Sequence, residues 1–182
     1  MTIKKRLRPL WVTLHWLMAA LVLTTFTIGL FSLTGPSNTD AELVPLGIHV
    51  VLGIAILVLV IARYLLRIFV YKPSMRFSPA TKQIFLDQVT PYVHVLLYFG
   101  TALMALLGLA IAIPADLFSI LWDGSGQHLP VSFYIYPARS LHGTLSLLLM
   151  LLIAQHILVA IFHQFIKGEN YIGRMWFTKE KK

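Results

Sequence analysis

Four long apolar runs dominate this chain, and each is long enough to cross a lipid bilayer as a helix. They cover Trp11–Leu33, Leu46–Phe69, Pro91–Ile113 and Leu141–Ile166. The hydrocarbon core of a bilayer takes ~20 residues of helix to span, and inside it backbone N–H and C=O groups must bond within the segment. The runs therefore predict an all-α integral membrane protein, an antiparallel four-helix bundle forming a single membrane domain over residues 1–182. Composition agrees, because only 12% of residues are charged, against about 25% in a soluble domain. The first run is longer than the ~7–15 apolar residues of a cleaved signal peptide, and no small-x-small site follows it. It is expected to stay as an anchor.

The formal net charge is +8. In a soluble chain that would suggest nucleic acid, but here the cations sit at the ends of the apolar runs and read as topology. Fourteen of the fifteen fall on one side: Lys4, Lys5, Arg6 and Arg8; Arg63, Arg67, Lys72, Arg76 and Lys82; Lys167, Arg174, Lys179, Lys181 and Lys182. The other side holds Arg139 with Asp40, Glu42, Asp116 and Asp123. Four spans put both termini on the basic side, and the positive-inside rule makes that side cytoplasmic. Arg63 and Arg67 read as topology signals, and Lys72, Arg76 and Lys82 as contacts to lipid headgroups. Pro73, Ser74, Ser78 and Pro79 punctuate the second connection. The third connection, Pro114–Pro137, has a turn-like cluster at Asp123, Gly124, Ser125 and Gly126. Trp122, Phe133, Tyr134 and Tyr136 beside it suit the membrane interface.

Ionisable residues inside spans are rare and usually functional. Here every span carries histidine: His15, His49, His94, His142, His156 and His163. His128 falls in a loop and carries no message. His49 and His142 begin their spans on the outer side. His156 follows His142 by 14 residues, which is ~21 Å along a helix and within ~40° of the same face. One helix thus offers two imidazoles in two layers of the membrane. His49 matches the depth of His142. His15 matches the inner layer with His156, where His94 competes with it. Gly53, one turn from His49, lets a flat macrocycle approach the helix.

Two stacked bis-histidine sites suit haem better than a bare metal ion. Structural zinc takes four ligands, and copper usually adds a third protein ligand. Haem brings four equatorial nitrogens and needs two axial ones. With no cysteine in the chain, iron–sulfur clusters and covalent haem attachment are excluded. Two b haems held by coordination and packing alone are the expected cofactors. Two axial histidines fill the iron's coordination and favour electron transfer. His163 lies ~10 Å nearer the basic side than His156, on a similar face. It reads equally as a quinone or haem-propionate partner and as an interfacial histidine facing headgroups. Arg139, one turn before His142, reads equally as a partner for outer haem propionates and as a helix-end anchor.

The run from Leu141 to Trp176 contains His142, His156, His163, Phe165, Asn170, Arg174 and Met175. Together with His15-Trp16, His49 with Gly53, Arg63 with Arg67, and His94, it resembles the bacterial cytochrome b561 family of small di-haem membrane cytochromes. The resemblance covers nearly the whole chain. The same arrangement is similar to the cytochrome b subunits of membrane-bound formate dehydrogenases and hydrogenases. The resemblance implies His15 with His156 as inner haem ligands and His49 with His142 as outer ones. That leaves His94 as a quinone-site or propionate partner. It also implies a bacterial inner-membrane location, a quinone (ubiquinone or menaquinone) as inner redox partner, and a small-molecule or protein donor on the outer face.

One member type oxidises superoxide and reduces ubiquinone. An anion would gain little steering from an outer side with four acids and only Arg139. The expected function is transmembrane electron transfer from an outer donor to the quinone pool, as an oxidoreductase. A membrane-anchor cytochrome b subunit of a larger dehydrogenase or hydrogenase-type complex is the alternative, and a haem or metal transporter a third class.

The charge asymmetry makes a direct prediction. Alkaline phosphatase fused after Lys182 is expected to be inactive in cells, and a fluorescent protein fused there to be bright. The reverse pattern would invert the topology.

Overall fold

The computed structural model describes residues 3–33, 35, 39–71, 85–123 and 128–176. Lys72, Arg76 and Lys82, the loop residues Pro73 to Pro79, and Gly124 to Gly126 lie outside them. Four long helices carry the chain: α1 (Ile3–Ser32), α2 (Leu43–Leu66), α3 (Phe85–Ala112) and α5 (Pro137–Phe165). Two short ones, α4 (Leu117–Trp122) and α6 (Tyr171–Arg174), lie in the third connection and the tail. All four long helices are long and apolar enough to cross a membrane. The protein is a helical membrane bundle.

The helices extend past the apolar runs that announce them. α3 begins at Phe85 and α5 at Pro137, each several residues before its run. Hydropathy marks the depth at which lipid begins, whereas helical hydrogen bonding continues into the interface. Pro137 suits the first turn of α5, where its missing N–H would have no partner anyway. α2 passes into a π-helical turn at Arg67–Tyr71.

α2 packs between α1 and α3, and α3 packs on α5. α1 and α5 complete the ring through side chains at both ends. At the end carrying the tail, Trp16 Nε1 donates to the Met175 carbonyl at 2.8 Å, and the Trp16 and Trp176 rings meet edge to face. At the far end, Arg139 Nη2 donates to the Leu33 carbonyl at 3.4 Å. Gly100 lets α3 approach α5 closely, since a Cβ there would stand 3.3 Å from Leu149 Cδ1.

The buried apolar residues form a thin seam, including Val12, Met18, Ile56, Val60, Val93 and Leu149. A second cluster caps the far end, where Leu46, Ala112, Ala115, Leu117 and Leu129 pack together. It tucks α4 against the ends of α2 and α3. Elsewhere large apolar side chains point outward, among them Leu23, Val51, Val58, Leu106, Leu147 and Leu158. In water such a surface would aggregate; in a bilayer it faces lipid tails.

Candidate functional site

Two clusters of histidine occupy the bundle at different depths. In the first, His49 on α2 faces His142 on α5, with ring centroids 6.1 Å apart and planes at 62°. Each ring lies against a glycine of a neighbouring helix. A Cβ on Gly29 of α1 would stand 3.1 Å from His49 Cε1, and one on Gly108 of α3 would stand 3.4 Å from His142 Cε1. His49 Nδ1 is 3.1 Å from the Thr25 carbonyl, four residues before Gly29. A carbonyl only accepts, so Nδ1 carries the proton and Nε2 keeps its lone pair. His142 repeats the arrangement less completely. Its buried Nδ1 has no hydrogen-bond partner among the described residues.

A cavity of about 560 Å³ opens at this pair, lined by His49, Gly53, Gly108, Arg139, His142 and Gly143 among others. A Cβ on Gly53 would enter open space. The walls are otherwise mostly apolar, as in cofactor clefts generally.

The second cluster lies at the end carrying the tail. His156 on α5 meets His15 on α1 with centroids 6.4 Å apart, and His94 on α3 at 5.2 Å. Arg63 of α2 enters this cluster. Its Nη1 is 3.0 Å from His15 Nδ1, and its guanidinium lies over the rings of Trp11 at 4.7 Å and Tyr98 at 5.8 Å.

Comparison with known proteins places the chain in a family. Residues 6–178 match the family model described as prokaryotic cytochrome b561. A curated relative, cytochrome b562 of Cereibacter sphaeroides, is 28% identical over 168 residues, covering 90% of each chain. The chain belongs to the prokaryotic cytochrome b561 family. It is a membrane electron-transfer protein that uses haem b.

The residues present in this cytochrome fit a haem. With metal–imidazole bonds of about 2 Å and a ring radius of about 1 Å, two imidazoles on opposite sides of one iron have centroids about 6 Å apart. The 6.1 Å and 6.4 Å pairs match that spacing, and the 5.2 Å approach of His94 is tight for it. The glycine-lined cavity provides room for a macrocycle beside the first pair.

The other expected site residues divide. Arg139 is half-buried, lines the cavity, bonds the Leu33 carbonyl and lies over the Tyr134 ring at 5.0 Å. It joins α1, α5 and the third connection at the cavity mouth. His163 does not face headgroups: it is fully buried, with Nδ1 3.0 Å from Glu169 Oε2. Gly168, at φ 69°, turns the chain back so that Glu169 reaches it. His128 is exposed near Asp40.

Arg63 requires a correction. It stands in the last turn of α2, where a topology signal is expected, but it is only 8% exposed and packs inside the bundle. An arginine inside an otherwise apolar run was itself the signal, obscured by its nearness to Arg67. Gly29, Gly108 and Glu169 also went unread, because their roles depend on which helices become neighbours.

The glycine contacts generate a prediction for the cytochrome. Gly29→Val and Gly108→Val should each displace the ring beside it and reduce haem content, measured by pyridine haemochrome per chain. A Gly53→Ala change meets no protein atom but narrows the cavity that would hold the macrocycle, and should lower haem content as well. Full haem in both valine variants would show that the ring–glycine contacts are dispensable.

Proposed function

We propose that the cytochrome holds two b haems, one between His49 and His142 and one between His15 and His156, and carries electrons across the membrane between them. The observation behind this reading is α5 itself. It bears His142 and His156, and each meets one imidazole from another helix at the spacing a bis-histidine iron needs. Each haem, when bound, supplies a one-electron iron couple. The protein's part is to fix the imidazoles, exclude water and hold the protons of their second nitrogens. The Thr25 carbonyl does this for His49, leaving Nε2 to coordinate.

With both termini cytoplasmic, the first pair is outer and the second inner. An outer donor delivers electrons to the outer site, and the membrane quinone, ubiquinone or menaquinone, takes them from the inner one. His94 and the buried His163–Glu169 pair are titratable groups on that side. They supply polar partners and protons to a reducing quinone. The activity is then that of a donor:quinone oxidoreductase in the bacterial inner membrane.

Haem counting tests the reading. The purified protein should give two six-coordinate haems b per chain. His49→Ala or His142→Ala should remove the outer one alone, and His15→Ala or His156→Ala the inner one alone. A single haem in the wild type, or loss of the inner haem in His94→Ala with retention in His15→Ala, would overturn the assignment.

The outer surface limits which donors react quickly. Arg139 is engaged by Leu33 and Tyr134, and the side otherwise carries acids. If superoxide is a donor, its oxidation should be slow or only weakly salt-dependent, since attraction to positive charge is what steers an anion. Stopped-flow mixing at two ionic strengths measures this. A fast, steeply salt-sensitive reaction lost in Arg139→Glu would make superoxide the natural donor.

A further inference from the structure

Arg63 stands out among the polar groups of the bundle. It is 92% buried, taking its 8% exposure from full. Its Nε is enclosed without a hydrogen-bond partner, and no acid among the described residues pairs with it. Its neighbours are the faces of Trp11 and Tyr98, which attract a cation weakly, and His15 Nδ1. A buried guanidinium without an anion is costly, and arginine's planar fork of five donors matches a carboxylate.

The contact with His15 sharpens the point. Arginine only donates, so His15 Nδ1 accepts here and its proton sits on Nε2. A histidine coordinating iron through Nε2 carries its proton on Nδ1 instead. Two donors would then face each other, and Arg63 would need another acceptor. The haem itself brings two carboxylates into the bundle.

We propose that Arg63 is the anion site of the inner haem, binding a propionate carboxylate when His15 coordinates the iron. This rests on the inner-haem assignment above. Arg63 would then have two effects. It orients the macrocycle in its plane, and it places a buried positive charge beside the iron, which favours the reduced state. Arg67 lies over the same Tyr98 ring at 5.6 Å, and adds charge on that side.

The test compares native haem with haem dimethyl ester, whose propionates are neutral. Full-length His49→Ala apoprotein, made in haem-deficient cells, isolates the inner site for titration. The ester should bind roughly ten- to hundredfold more weakly than native haem, the range for hydrogen bonds to charged groups. In an added Arg63→Gln change the two haems should bind alike. Arg63→Lys should keep part of the preference. In the two-haem protein, Arg63→Gln should lower the midpoint potential of the inner haem and leave the outer one unmoved. Equal binding of ester and native haem with Arg63 intact would overturn the inference, as would an undiminished preference in Arg63→Gln. If Arg63→Gln binds no haem at all, the ester comparison with Arg63 intact and the lysine variant decide between the same outcomes. Fewer than two haems in the wild type would overturn the di-haem reading itself, a separate failure.

Discussion

A neutral imidazole inside hydrocarbon must give its N–H to an acceptor, and in a helical bundle nearly all acceptors are carbonyls already used by their own helix. His49 solves this by bonding the Thr25 carbonyl, whose second lone pair is free even when the first serves the residue four positions on. That residue is Gly29, and the missing side chain is what lets a ring approach the helix backbone. The relation dictates a sequence rule: the glycine comes four residues after the accepting carbonyl. His142 likewise packs on a glycine, Gly108, on the opposite side of the cavity, but its Nδ1 has no hydrogen-bond partner among the described residues. The packing of α1 against α2 and of α3 against α5 is thereby tied to the direction in which each imidazole points.

The two layers differ in how they satisfy their histidines. The His49–His142 pair uses one backbone carbonyl, small residues and open volume. The His15–His156 cluster uses side chains: a third imidazole, a buried guanidinium and two aromatic faces. A cation beside one site, with backbone dipoles beside the other, gives the layers unequal electrostatics. Reduction adds a negative charge, so a redox group beside the cation would be the more easily reduced.

The spans and the histidines were legible because both signals lie within single segments. An apolar run of bilayer length has few interpretations, and the depth of a histidine follows from its distance to the end of its run. The 14-residue interval between His142 and His156 even assigns them to one face. Contacts between segments left no such trace. Gly29 and Gly108 look like any glycines of membrane helices until α1 and α3 are known to flank the outer pair. Glu169 lies six residues from His163, a separation that neither a helix nor a strand brings into contact, and it arrives through the left-handed turn at Gly168. The burial of Arg63 left no trace for a subtler reason. Charge counting assigns a cation near the end of a span to topology, and it does not ask whether the side chain can turn inward.

α5 decides how the two sites relate. It supplies one imidazole to each, while α2 and α1 supply the others. Between His142 and His156 the helix holds no proline, and its glycine is next to His142. Its length there is set by covalent geometry and continuous hydrogen bonding at ~1.5 Å per residue, not by packing against its neighbours. Motions of α1 or α2 within the bundle can change the spacing inside one pair, but they cannot change the axial distance between the two histidines on α5. Electron transfer rates depend steeply on distance, and under the two-haem proposal that distance is held by one unbroken element while the partners adjust to whatever each site binds.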